Sequence, residues 1–439
     1  MKASVTDSII NTYKQIQEMI PMEYHLGRVT YDSPVNFNES LQKPRHRWFP
    51  YKEGFSPSFV RTFFSRYVTS RPIRILDPFA GVGTTIIEAA IQGQAGLGIE
   101  VNPLAVFIAE VKKISLTPSQ LGEFSSLMEY FIQSSLEEVA PSPSNETVKS
   151  YFEASNLEAL LRVKAFVYAL PPGPIQNLFK AAFLSCIETF STHRKAGNGL
   201  KRKTKQNYFS LLGDTAIIHL QKYIHSCLRM YYEDLRLGID SSKAMFIHGN
   251  SLEIGNMNIS GLFNAVLTSP PYANCFDYSK IYTCELWMGD FFTDPASQKR
   301  FRMQSVRSHV HAKWPERYEN MGSELMNRQL YPLLQERELW SKNIPDMLKG
   351  YFMDTGQLLS SLSSLIEPGS PVGFVVGNSV YAGIPIATDL LISEMATNFG
   401  FKPELIEVYR YTIPSSQQYI QLNEKEYMRE SMIVLRKVG

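Results

Sequence analysis

Short apolar runs bounded by turn residues recur along this chain. Residues 73–76, 96–100, 244–248, 262–267 and 372–377 are each short and read as strands, 262–267 as one buried in a parallel sheet. Residues 404–409 and 431–436 read as the last two strands, with a loop containing Gln and Tyr between them. Residues 86–90, Ile-Ile-Glu-Ala-Ala, have helical character, and residues 115–240 read as mostly helical. That long stretch is broken at Pro141-Ser142-Pro143-Ser144 and at Pro171-Pro172-Gly173-Pro174. Strands alternating with helices predict an α/β fold around a largely parallel sheet, interrupted by helical insertions.

Two of the runs lead into loops with chemistry in them. Residues 73–76 are followed by Asp77-Pro78-Phe79-Ala80-Gly81-Val82-Gly83-Thr84-Thr85 and then by the helical residues. Gly81 and Gly83 permit a tight turn and let a ligand approach the backbone, and the helix start behind them offers unpaired N–H groups to an anionic group such as a carboxylate. The spacing is not that of dinucleotide folds and no Gly-Lys-Ser/Thr is present, so neither NAD nor ATP phosphates are the natural ligand. About 20 residues further on, the second strand ends in Glu100, where an α/β fold places a carboxylate that grips ribose hydroxyls; Asn102-Pro103 then breaks that strand. After the fourth strand comes Thr268-Ser269-Pro270-Pro271-Tyr272. The prolines stiffen this loop at the sheet edge where α/β folds bind ligands. The Ser269 hydroxyl and Pro270 carbonyl are then two neighbouring acceptors, with Tyr272 as a flat platform for a planar amine.

The pair of loops resembles those of amino-group DNA methyltransferases that use S-adenosylmethionine, and most closely the branch that makes N4-methylcytosine. Residues 46–57, His-Arg-Trp-Phe-Pro-Tyr-Lys-Glu-Gly-Phe-Ser-Pro, resemble the segment that in this family closes over the methionine part of the cofactor. The resemblance extends over residues 45–110 and 243–439. It implies a class I methyltransferase fold: a Rossmann-like mixed sheet of seven strands with helices on both faces, the last two strands forming an antiparallel pair. It implies that Phe55, Asp77, Pro78, Phe79, Ala80, Gly81, Gly83, Thr84, Thr85, Glu100, Asn102, Asn250, Ser251 and Thr268 bind S-adenosylmethionine, and that Ser269, Pro270, Pro271 and Tyr272 form the catalytic loop. The family usually has an acid where this chain has Asn250; an amide oxygen also accepts a hydrogen bond from an adenine amine. Adenine-N6 enzymes of the family more often have Asp at the position of Ser269, which favours cytosine. Adenine-N6 methylation, methylation of an RNA base, and a catalytically silent DNA-binding subunit are the alternatives.

The 439 residues exceed one ordinary domain. They divide into an N-terminal extension (1–44), a discontinuous catalytic domain (45–114 and 243–439), a helical insertion (115–242) and a second insertion (273–350), the last two being candidates for reading DNA. Hydrophobic content of 44 % and mean hydropathy of −0.16 fit a soluble protein. No apolar run reaches membrane length and the N-terminus has no signal-like core, so a cytoplasmic, prokaryotic, nucleoid-associated enzyme is expected. The four scattered cysteines suit neither a zinc site nor disulfides, and no metal is expected. Methylating carbon 5 of cytosine needs a thiolate directly after the catalytic proline; Tyr272 stands there, and Cys275 reads as an ordinary buried residue.

Net charge is only +2, so DNA contacts must come from local clusters. Arg194, Lys195, Lys201, Arg202, Lys203 and Lys205 form one, in a glycine-hinged segment between helical stretches. Arg300, Arg302 and Arg307 lie in another, interleaved with Phe301 and Trp314. All nine are expected to touch the phosphates of double-stranded DNA. A separately encoded restriction endonuclease is an optional further partner.

Overall fold

The computed structural model describes residues 2–26, 33–197, 199–204, 215–311, 314, 321–412 and 424–439. Its strands are β1 (Met22–Tyr24), β2 (Arg74–Asp77), β3 (Ala95–Glu100), β4 (His193–Ala196), β5 (Gly199–Arg202), β6 (Ala244–His248), β7 (Ala265–Thr268), β8 (Pro371–Gly377), β9 (Ser379–Tyr381), β10 (Ile384–Ile386), β11 (Phe401–Tyr411) and β12 (Arg429–Lys437). Eight of them form one sheet in the order β1-β11-β12-β8-β7-β2-β3-β6. β12 runs antiparallel to both neighbours and the other pairings are parallel. Leaving β1 aside, this is the strand order of the class I methyltransferase sheet, with the order reversing between β2 and β7.

Alternate residues of the central strands face opposite layers, as the pleat requires. Leu76, Val266 and Phe374 join a core with helices Lys2–Met19, Ile344–Leu365 and Thr388–Ala396. Ile75, Ala265, Leu267 and Val375 face helices Pro57–Tyr67 and Thr84–Ile91 on the other side. A third core lies within the insertion, where helices Pro118–Gln133, Ala154–Ala169, Pro174–Phe190 and Thr215–Arg236 pack together with Thr283–Met288.

Three features differ from the sequence expectation. The sheet has eight strands rather than seven. The eighth comes from the N-terminal extension: residues 22–24 pair with 406–408, and the helix before them buries Ile9, Tyr13 and Ile16. The basic segment after residue 192 is an antiparallel hairpin, β4–β5, rather than a loop. The segment following residues 268–272 runs on into helix Ile344–Leu365, which spans residue 350 and returns the chain to β8.

Candidate active site

β2 and β7 lie side by side and parallel, so Asp77 and Ser269 emerge together at the carboxyl edge where the strand order reverses. The Asp77 carboxylate is 3 % exposed. It accepts hydrogen bonds from the Thr268 hydroxyl at 2.7 Å and from the Phe79 N–H at 3.1 Å. Burial pushes its pKa up to about 6. The turn then passes through Gly81 at φ 50° and Gly83 at φ 83°. A Cβ at Gly83 would lie 2.6 Å from the Phe246 ring, so both conformation and space demand glycine there. Helix Thr84–Ile91 starts at once behind it.

Glu100 closes the far side of this turn, accepting from the N–H groups of Gly81 and Asn102, each at 2.8 Å. Burial pushes its carboxyl up to about 7. Beneath the turn, the buried Lys112 amine donates to the Val82 carbonyl at 3.1 Å, and burial pulls its pKa down to about 7.

These groups border a cavity of about 940 Å³ counting its open mouth. Phe55, Asp77, Phe79, Ala80, Gly81, Thr84, Thr85, Glu100, Asn102, Asn250 and Ser251 line it. Pro78, Gly83 and Thr268 sit behind the lining: the Pro78 carbonyl accepts from the Ser251 hydroxyl, and Thr268 holds Asp77. The Asn250 side-chain oxygen accepts from the Leu252 N–H at 3.0 Å, capping the turn it begins. Asn102 caps helix Pro103–Lys112 through its oxygen, while its Nδ2 is buried with no hydrogen-bond partner. Two desolvated carboxylates, an orphaned amide donor and an apolar floor fit a cationic, ribose-bearing ligand such as S-adenosylmethionine.

A second cavity, about 1510 Å³ with its open mouth, lies on the other side of Ser269. Tyr272 lines it, its ring resting on Gly377, where a Cβ would come within 2.7 Å of the ring. The Tyr272 hydroxyl donates to Glu430 at 2.6 Å and accepts from the Ser269 hydroxyl at 3.4 Å. Burial, with Glu430 beside it, raises the Tyr272 pKa well above the usual phenol range. Glu430 also takes the Arg410 guanidinium. A register shift between Val408 and Arg410 puts that arginine opposite Glu430 across β11 and β12. Pro271 faces the first cavity, and Pro270 is buried and lines neither. Glu53, Gly54, Phe55, Ser269 and Tyr278 line both, so the cavities meet at these residues.

The basic clusters divide. Arg194, Lys201, Arg202 and Arg300 are exposed. The hairpin that carries the first three also contributes Lys195, Ala196 and Gly197 to the wall of the second cavity. The expectation of phosphate contacts is corrected at Lys195 and Arg307. Lys195 is 6 % exposed, ion-paired with Glu285 and Glu188, and lies 4.3 Å from the Tyr282 ring centre. Arg307 is 5 % exposed and grips Asp354 through Nε at 3.1 Å and Nη2 at 2.8 Å. Lys203 caps a helix end, donating to the carbonyls of Glu188, Thr189 and Ser191. Arg302 donates to Ser279 at 2.7 Å, pairs with Asp277 at 3.1 Å and lines the first cavity. Lys205 lies outside the described residues.

Sequence reading missed several lining residues. Tyr51 stacks on Tyr282 with ring centres 5.1 Å apart and packs over Gly81. Phe301, Ser308 and His309 reach the first cavity from the second insertion; burial lowers the His309 pKa to about 4, which keeps it neutral. The apolar Phe-Pro-Tyr run before Lys52 was the available signal for Tyr51, whereas nothing local marks the later residues. Cys275 lines neither cavity. It is 4 % exposed, 3.4 Å from the Tyr381 hydroxyl, and burial pushes its thiol up to about 11.

No family model matches the chain. It is 27 % identical to M.AvaI of Nostoc sp. over 428 residues, covering 92 % of this chain and 88 % of that protein. It is 24 % identical to M.BsoBI of Geobacillus stearothermophilus, covering 92 % and 87 %. With M.MvaI of Kocuria varians it shares 20 %, covering 83 % of each. All three relatives are type II methyltransferases. A crystal structure of TrmN from Thermus thermophilus matches 92 % of this chain and 53 % of that one at 9 % identity and a TM-score of 0.31. That overlay is too loose to add to what the strand order already establishes. Among the described residues, no helix is long and apolar enough to cross a membrane.

Proposed function

We propose that this chain is a site-specific DNA methyltransferase that moves a methyl group from S-adenosylmethionine to the exocyclic N4 amine of a cytosine flipped out of duplex DNA. The observation that carries the reading is the meeting of two cavities at Ser269, one lined by Asp77, Glu100 and the glycine turn, the other by Tyr272. Similarity to type II methyltransferases over most of the chain supports the same reading.

When bound in the first cavity, S-adenosylmethionine supplies an electrophilic methyl on a sulfonium. Asp77 and the N-terminus of helix Thr84–Ile91 would hold its amino-acid part, and Glu100 would accept from the ribose hydroxyls. In cytosine the amine lone pair is delocalised into the ring, which makes the nitrogen a poor nucleophile. The Ser269 hydroxyl, turned toward Tyr272 as a donor, keeps its lone pairs for an amine hydrogen. Accepting that hydrogen favours a pyramidal nitrogen, and the contact strengthens as positive charge develops there. Alignment across the junction supplies an orientational gain. Tyr272 offers its ring to the extruded base.

Serine at position 269 favours cytosine over adenine, and a protonated, buried Cys275 outside both cavities argues against carbon-5 chemistry. Exposed Arg194, Lys201, Arg202 and Arg300 are the proposed phosphate contacts, the first three on a hairpin bordering the second cavity.

The test is incubation of purified protein with unmethylated duplex DNA and methyl-deuterated S-adenosylmethionine, followed by nucleoside mass spectrometry. Labelled N4-methylcytosine from the wild type and none from Ser269→Ala is the expected result. Labelled N6-methyladenine would overturn the choice of base, and label entering only structured RNA would overturn the choice of substrate.

A further inference from the structure

Five residues line both cavities, and Glu53 is the one among them that bears a carboxylate. Asp77 and Glu100 line the first cavity alone. Glu430 lines the second alone and is engaged by Tyr272 and Arg410. Glu53 is therefore the carboxylate at the junction of the two cavities.

Its surroundings are built rather than incidental. The Tyr282 hydroxyl donates to Glu53 Oε2 from a ring that is fully buried and stacked on Tyr51. Lys195, held by Glu285 and Glu188, and Lys52, beside Glu188, supply positive charge near it. Tyr51 and Tyr278 are its remaining titratable neighbours. A carboxylate has about four lone-pair sites, so one phenol leaves capacity for an amine hydrogen.

We propose that the Glu53 carboxylate accepts an N–H of the target amine and takes the proton that the nitrogen releases as it is methylated. This rests on the methyltransferase reading above. The nitrogen lone pair forms the new N–C bond while the S–C bond breaks, its electron pair staying on sulfur to give a neutral thioether. The nitrogen, now cationic, gives one hydrogen to a Glu53 oxygen and becomes neutral. The resulting carboxylic acid returns its proton to water when the second cavity opens. Burial raises the Glu53 pKa above the ordinary carboxylate value, against the lowering effect of Tyr282 and the two lysines, which makes it a better proton acceptor than an exposed acid.

The experiment is single-turnover methyl transfer to DNA at saturating cofactor across the pH range, with cofactor affinity measured in parallel. A proton acceptor must be ionised, so the rate falls as pH falls through the Glu53 pKa. Glu53→Gln is expected to slow transfer at saturating cofactor roughly a hundredfold, far more than it changes cofactor affinity, and Glu53→Asp to recover part of the rate. Tyr282→Phe removes a donor that favours the ionised form, so the acid limb moves to higher pH. In the Glu53→Gln background the same change moves nothing. A wild-type rate and acid limb in Glu53→Gln, or an equal shift in both backgrounds, would overturn the proposal while leaving the methyltransferase reading intact. Absence of transfer by the wild type overturns both.

Discussion

Asp77 and Glu100 are acids kept in an apolar wall, with pKa values pushed to about 6 and about 7 by burial. A cation placed against them, or hydroxyls donated to them, favours their ionised forms, so binding must weaken as acid protonates them. Cofactor affinity measured by calorimetry should fall roughly tenfold between about pH 8 and about pH 6. An affinity independent of pH over that window would show that neither carboxylate meets the ligand. Ser269 and Tyr272 carry a separate prediction. Ser269→Ala and Tyr272→Ala should each lose most methyl transfer while cofactor binding survives, since both side chains reach the second cavity and Tyr272 lines that one alone. For single residues the sequence was most legible where a motif is contiguous: Asp77 through Thr85 form the turn at the first cavity, and Ser269, Pro271 and Tyr272 reach the cavities, whereas Pro270, expected to offer a second acceptor, is buried and lines neither. It misled at Lys195 and Arg307, because a cation's exposure depends on acids far away in the chain, here Glu285 and Asp354. Glu53 escaped notice for the same reason, its meaning arising only from what converges on it.

Among the elements, the glycine turn is the most tightly specified. Gly83→Ala must place a Cβ at φ 83° and 2.6 Å from the Phe246 ring. The left-handed conformation and the collision together should cost about 2 kcal/mol or more of unfolding free energy. A melting temperature equal to wild type would refute that geometry. The β4–β5 hairpin makes a different prediction. Replacing Arg194, Lys201 and Arg202 by alanine should weaken DNA binding and reduce the slope of log affinity against log salt by about 0.9 for each phosphate left without its cation. The methylated sequence should not change, because phosphate contacts position without specifying. The central parallel strands β2, β3, β7 and β8 were legible because burial on both faces favours short apolar runs. The hairpin was not, since Arg-Lys-Ala and Leu-Lys-Arg show no such run, and β1, three residues long, is too short to leave one.

Over the whole molecule, the sheet brings together two loops nearly 190 residues apart and sets a cavity on each side of Ser269. Sequence order and strand pattern carried the class I sheet, because each strand's apolar run predicts its own burial. Of the cavity walls they carried the segment around Phe55, but not Tyr278 or residues 301–309, which converge from other parts of the chain. The proposed chemistry stands or falls on methyl transfer across the junction of the two cavities. The decisive experiment is a crystal structure with a duplex containing the methylated site and sinefungin, an analogue bearing an amine where the sulfonium methyl sits. The analogue should lie in the first cavity, its amino-acid part toward Asp77 and its ribose on Glu100, with an extruded base over Tyr272 whose exocyclic amine is hydrogen-bonded to Ser269. An analogue bound elsewhere, or a target base still stacked in the duplex, would rule that transfer path out.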